Sequence, residues 1–142
     1  LVILARFVPE LDGIQELLKR KQIGYASVRG GVSDRAEEIR RFQEDADCKV
    51  FVGQIAAAGL GITLTAASTM VFYSLDYSMS NFEQAKARIH RVSQTENCLY
   101  IYLTAKHTVD TKILRALRDK ADLAKMLVDD YRNGSNPFQE GV

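Results

Sequence analysis

"KVFVGQIAAAGLGITLTAASTMVFYS", residues 49–74, places one apolar run, Lys49 to Gln54, and a second, Thr69 to Ser74, on either side of a segment of small residues. Both runs are short, nearly continuous in apolarity and rich in β-branched and aromatic residues, the pattern of strands covered on both faces. The segment between them carries Gly59 and Gly61 among alanines and ends in Thr63, Thr65 and Ser68. Small side chains let a backbone approach a ligand closely, and glycine opens turns closed to other residues. A G-x-G pair by itself serves a tight turn as well as it serves a ligand.

Working outward, three more runs have the same character: "LVILAR" (1–6), "YASVRG" (25–30) and "CLYIYLT" (98–104). Helical periodicity fills the gaps between runs. Pro9 stands in the first turn of a pattern with Leu11, Ile14, Leu17 and Leu18 inward, closing on Lys19, Arg20 and Lys21 before Gly24. Ser33 begins another, with Asp34, Glu37 and Glu38 early and Ala36, Ile39 and Phe42 inward. A third spans the segment around Gln84 to Gln94, and a fourth runs from Thr108 through Ile113, Leu117, Ala121, Ala124 and Leu127.

Strands alternating with helices predict an α/β domain with a mostly parallel sheet and helices on both faces. Residues 1–130 are expected to form that domain, and 131–142, without periodicity, a flexible tail. Ligands of such sheets bind at the carboxyl ends of the strands. "RGGVS", the glycine segment and "LDYSMSNFEQ" all leave such ends.

The 142 residues carry 46% hydrophobic and 26% charged side chains, a globular balance for one domain. Nineteen basic against eighteen acidic residues leave a net charge of +1, so nucleic acid held by bulk charge is excluded and any such contact must be local. Cys48 and Cys98 lie beside apolar runs without metal-ligand spacing and read as reduced core residues. No apolar run is long enough to span a membrane. The chain opens inside an apolar run without an initiator Met, so a preceding segment is expected. Tyr25, Phe51, Phe72, Tyr73, Tyr100 and Tyr102 alternate within the strand runs and are assigned to the core, not to base stacking.

"QAKARIHRVSQ", residues 84–94, concentrates chemistry. On a helix, Ala85, Ile89 and Val92 form a buried stripe, and Gln84, Arg88 and Arg91 repeat the same spacing one position behind. Ser80 and Glu83 have capping-box spacing for its start. Guanidinium groups one turn apart suit the oxygens of a phosphate. Read alone, the row is also a solvated basic face. The chain has no G-x-x-x-x-G-K-[ST] loop and no strand ending in an acidic pair, and Glu44, Asp45 and Asp47 read as a solvated helix end. The arginines therefore form half of a site.

The order of these motifs resembles the second RecA-like lobe of superfamily 2 helicases, most closely the Swi/Snf-type DNA translocases and their bacterial or phage relatives. "LVILARF" looks like motif IV, "AAAGLGITLTAAS" like motif V, and "EQAKARIHRVSQ" like motif VI, whose family form is Q-A-x-x-R-x-H-R-x-x-Q. "YASVRGGVSDRAEEIRRFQED" is similar to the family's strand, glycine turn and R-x-x-x-I-x-x-F helix, and "HTVDTKILRALRDK" to the helix after motif VI. The resemblance implies a RecA-like three-layer α/β/α sandwich and an ATP site clamped between two lobes, the absent N-terminal lobe bringing the Walker loop and the Mg²⁺ ligands. It implies that Arg88 and Arg91, above all Arg91, act as arginine fingers, that Gln84 orders the row, and that Gly59 and Gly61 lie near the nucleotide. It also implies double-stranded DNA as partner, held by its phosphate backbone at Gly30, Gly31, Ser33, Arg29 and Arg6. The isolated lobe would then be monomeric and inactive, cytoplasmic in a bacterial or infected cell and nuclear in a eukaryote.

Several positions depart from the family pattern. Gln54 and Ile55 replace a Ser-Thr, Ala58 a glycine, and Ser93 the glycine before the final Gln. These changes point to a bacterial or phage member. Related alternatives are the lobe of a strand-separating helicase or of a restriction-system motor, and a RecA-like nucleic-acid-binding or regulatory module that has lost catalysis.

Overall fold

The computed structural model describes residues 1–30, 34–56 and 61–132. Five strands, β1 (Val2–Ala5), β2 (Gly24–Val28), β3 (Cys48–Gln54), β4 (Thr69–Phe72) and β5 (Leu99–Tyr102), coincide with the five apolar runs. They form one sheet in the order β2-β3-β1-β4-β5, every pair parallel. The helices are α1 (Val8–Arg20), α2 (Arg35–Glu44), α3 (Met79–Lys86) and α4 (Val109–Arg132).

Register divides the side chains between two faces. Val2, Leu4, Ala26, Phe51, Met70 and Phe72 share a core with Phe42 of α2, Phe82 and Ala85 of α3, and Ile113 and Leu117 of α4. Ala5, Val50 and Val52 face the other way, onto Leu11, Ile14 and Leu18 of α1. The architecture is the expected three-layer α/β/α sandwich of RecA type. Phe72, Phe82 and Tyr102 stack with ring centroids 4.5–5.4 Å apart, which docks α3 on β4 and β5.

Coverage is incomplete at the β5 edge. Leu99 and Ile101 are 55% and 38% exposed while Tyr100 and Tyr102 point into the core, so β5 alternates where continuous burial was expected. Tyr73, assigned to the core, is 45% exposed: it follows Phe72, which faces the α2, α3 and α4 core, and so turns to the opposite face. Cys48 is buried and Cys98 half-buried, and neither is paired.

Helix ends also differ from expectation. Asp34 is the N-cap of α2, its carboxylate accepting from the Glu37 amide at 3.0 Å, and Ala36 is exposed; only Phe42 of the three inward candidates is fully buried. Ser33 lies outside the described residues. The N-cap of α3 is Ser78, whose hydroxyl accepts from the Asn81 amide, so Ser80 is already helical and Glu83 pairs with Lys86 instead of closing a capping box. Leu17 of α1 is exposed, and α4 continues to Arg132, two residues beyond the expected domain end at 130.

Candidate functional site

The chain leaves β1 for α1 on one face, whereas it leaves β2 and β4 for α2 and α3 on the other. Adjacent strands whose connections part to opposite faces open a crevice at their carboxyl ends. Here those strands are β1 and β4, so Arg6 and the segment after Phe72 emerge at the switch point. Arg6 is exposed, with its guanidinium over the Phe7 ring at 5.1 Å. Its backbone is fixed from below: the Arg6 amide donates to Ser74 Oγ, which donates to Glu10 Oε2, and the Phe7 amide donates to the same carboxylate.

The arginine segment is not the continuous helix that its period predicted. α3 ends at Lys86, and residues 87–93 form consecutive turns. The bonds tighten there, with the Arg88 amide on Ala85 O at 3.0 Å and the Ile89 amide on Lys86 O at 3.4 Å. The Arg88 carbonyl is then taken by the Leu64 amide at 2.9 Å, from the segment that follows the glycines. Ala85 and Ile89 are fully buried as the stripe required, but Val92 stands entirely in solvent.

Arg88 is only 8% exposed, the one buried charged residue among those described. Among the described residues it makes no ion pair and its buried Nε has no hydrogen-bond partner. Burial lowers its pKa from the ordinary arginine value, and the neighbouring Arg91 charge adds to this. Arginine nevertheless stays protonated in proteins, so the turn holds a partly desolvated cation without a counter-charge among the described residues. Arg91 is exposed and rests on carbonyls through two long bonds, Nε to Ala87 O at 3.3 Å and Nη2 to Ile62 O at 3.4 Å.

Arg88 and Arg91 thus meet the exit of the glycine segment. Gly61, at the start of that exit, has φ +73°, a conformation that glycine adopts without strain. Gly59 lies outside the described residues. Gln84 is exposed on α3 and donates to Ser80 Oγ at 2.9 Å, one turn back. His90 is exposed.

Of the proposed DNA contacts, Arg6 follows β1, and Arg29 and Gly30 follow β2. Arg29 is ion-paired with Asp12 of α1 at 2.5 Å, and the Gly30 amide donates to Gln54 Oε1 at 3.3 Å. Gly31 and Ser33 lie outside the described residues. The sequence reading missed Glu10, Ser74 and Gln54 as supports of this rim; only Gln54 had a signal, as a departure from the family pattern.

Among the described residues no three His, Cys, Asp or Glu side chains come together as a metal-ligand set. No described helix is long and apolar enough to cross a membrane.

Comparison with known proteins adds independent findings. The helicase conserved C-terminal domain profile matches residues 1–93. A human protein named as a SWI/SNF-related, matrix-associated, actin-dependent regulator of chromatin, subfamily A, containing DEAD/H box 1, is 34% identical over 140 residues, covering 96% of this chain and 14% of that protein. The chromatin-remodeling ATPase INO80 of Mycosarcoma maydis is 35% identical over 120 residues, 83% of this chain and 6% of that one. Among solved structures, the C-terminal part of the Fun30 ATPase domain superposes with a TM-score of 0.77 at 27% identity, over 82% of this chain and 38% of that one. The chain therefore spans a small fraction of the curated relatives it matches. These relatives come from a fungus and a mammal, which lends the expected bacterial or phage source no support.

Proposed function

Given that the chain belongs to the helicase conserved C-terminal domain family, with SWI/SNF-related and INO80-type remodeling ATPases as homologues, we propose that it is the second motor lobe of an ATP-dependent DNA translocase. The observation that carries this reading is Arg88, a buried guanidinium with an unpartnered Nε beside Arg91 at the exit of the glycine segment. An uncompensated buried charge is costly unless an anion meets it. A phosphate brought by a second lobe fits that requirement.

In this reading Arg88 and Arg91 face the γ-phosphate of ATP, with Mg²⁺ ligands and the Walker loop on the N-terminal lobe. Bound ATP supplies the phosphoryl group to be transferred to water, and the arginines offset the negative charge on its oxygens. Arg88 is held rigidly by Ala85 and Ile89 on either side of it; Arg91, on weak carbonyl contacts, is free to reorient toward the second lobe. Gly59 and Gly61 shape the backbone beside the nucleotide, and Gln84 steadies the helix that precedes the arginines.

Double-stranded DNA is the proposed track, contacted through its phosphates by Gly30, Gly31, Ser33, Arg29 and Arg6. Arg29 must leave Asp12 to take part, so its contribution is smaller than its charge suggests. The lobe acts as a monomer within its parent chain, is inactive alone, and in a eukaryote works in the nucleus.

The test is ATP hydrolysis by the full-length protein with and without double-stranded DNA, alongside a strand-displacement assay. DNA-stimulated hydrolysis without strand separation is expected. Hydrolysis coupled to strand separation makes it a helicase lobe, and DNA binding without any hydrolysis makes it a binding module.

A further inference from the structure

Two glutamines from separate parts of the chain close on one turn, Thr65 to Ala67, which leads from the glycine segment into β4. Gln43, near the end of α2, accepts from the Ala66 amide through Oε1 at 2.8 Å and donates from Nε2 to Thr65 Oγ1 at 3.2 Å. Gln94, just past the arginine turn, directs its Nε2 at the carbonyls of Ala67, Ile89 and Thr65, at 2.8, 3.1 and 3.3 Å. Its Oε1 accepts from the Glu96 amide, and its own amide donates to Arg91 O at 2.9 Å. Both side chains are half-buried, where a hydrogen bond is harder for water to replace.

The bonds form one connected path. Gln43 fixes the Thr65–Ala66 turn to α2, and Gln94 fixes the same turn to the carbonyl of Ile89, between Arg88 and Arg91. The Leu64 amide, next to the turn, holds the Arg88 carbonyl. A displaced turn would carry Leu64 with it and move the arginine backbone.

We propose that Gln43 and Gln94 are positioning residues: a clamp that sets the arginine turn against the glycine-segment exit. They act through Arg88 and Arg91 without touching the phosphate. This rests on the motor reading above, and it adds that the strand-end turn and α2 fix the arginine geometry.

The chemistry of the two amides differs in a way that makes the clamp testable. Glutamate at position 43 keeps both bonds, because a carboxylate accepts from the Ala66 amide and from the Thr65 hydroxyl. Glutamate at position 94 keeps none of the carbonyl contacts, because it has no N–H and sets a negative charge against three acceptors.

The experiment compares Gln43→Ala, Gln43→Glu, Gln94→Ala and Gln94→Glu in the full-length protein. It measures kcat and KM for DNA-stimulated ATP hydrolysis, folded fraction in urea, and hydrogen exchange at the Leu64 and Ala66 amides. Small displacements of reacting groups cost up to about 100-fold in rate. Accordingly kcat should fall about 10- to 100-fold in both Gln94 variants and in Gln43→Ala, with KM for ATP within about threefold. Gln43→Glu should restore the wild-type rate. Exchange at Leu64 should quicken about tenfold in the Gln94 variants, and at Ala66 in Gln43→Ala.

Wild-type kcat in Gln94→Glu, failure of Gln43→Glu to restore the rate, or losses that only track folded fraction would each overturn the clamp while leaving the motor reading in place. If the wild-type protein hydrolyses no ATP, the motor reading falls. The positioning of arginines for phosphate falls with it, whatever the exchange data show of the turn.

Discussion

Gln22 has φ 55°, a left-handed backbone in a residue with a side chain, at the exit of α1. The helix closes there through the Gln22 amide on Lys19 O and the Ile23 amide on Leu18 O, both at 3.0 Å. The left-handed region costs an ordinary residue about 1–2 kcal/mol, partly offset in a glycine replacement by the entropy of its unfolded chain. Gln22→Gly should therefore stabilise the fold by about 0.5–1 kcal/mol in urea denaturation. Gly24, which by sequence was the natural helix stop, is needed for a different reason. A Cβ there would lie 2.1 Å from the Asp47 carbonyl oxygen, in the backbone that leads into β3. Gly24→Ala should thus cost about 1–3 kcal/mol, the range for forcing atoms into a filled space. The sequence shows a glycine near a helix end; the close approach of the chain before β3 decides its role, and no local pattern encodes that approach.

At the scale of elements, all five strands and the existence of all four helices were legible, because near-continuous apolar runs and 3.6-residue stripes are local signals. The end of α3 was not. Its period continues through Ile89, but the carbonyls that would extend the helix are claimed by the Leu64 amide and the Gln94 side chain. Partners so distant in sequence leave no trace in the period itself. Phe82 shows how α3 is held: stacked against both Phe72 and Tyr102, its truncation in Phe82→Ala should cost about 3–5 kcal/mol, read as a lower urea midpoint.

Strand β5 carries a pH signature. Burial, first, and the neighbouring Cys98 and acidic groups push the Tyr100 hydroxyl up from 10.0 to about 12, and burial raises Tyr102 as well. The unfolded chain thus loses these protons first as pH rises, so the stabilisation is fully present below pH 10 and is lost between about pH 10 and 12. Unfolding titrations across that window should show a decline that is shallower in Tyr100→Phe. An unchanged slope in that variant would mean that Tyr100 ionises equally in both states.

For the whole molecule, a parallel sheet with α1 on one face and the other helices opposite brings Arg6 and the segment after Phe72 to the switch point. The arginine turn is bonded to the exit of that segment. The alternation of strands and helices made the sheet legible, and the helicase C-terminal domain match covers residues 1–93 of it. The fate of individual rim groups was not legible. Asp12 captures Arg29 and Gln54 captures the Gly30 amide through contacts across elements. Arg88 and Arg91 are on one turn yet differ in kind, one buried and unpaired among the described residues, the other exposed on weak contacts. The central claim is that both serve a phosphate held mainly by another lobe. Its most direct test is the ATP turnover of full-length Arg88→Ala and Arg91→Ala with saturating DNA, ATP affinity being measured separately. Arginine fingers contribute about 10³- to 10⁵-fold in phosphoryl transfer, so kcat should fall by about that much while ATP affinity changes little. Turnover at the wild-type rate in both variants would contradict the claim and leave the arginine turn a structural feature of a binding module.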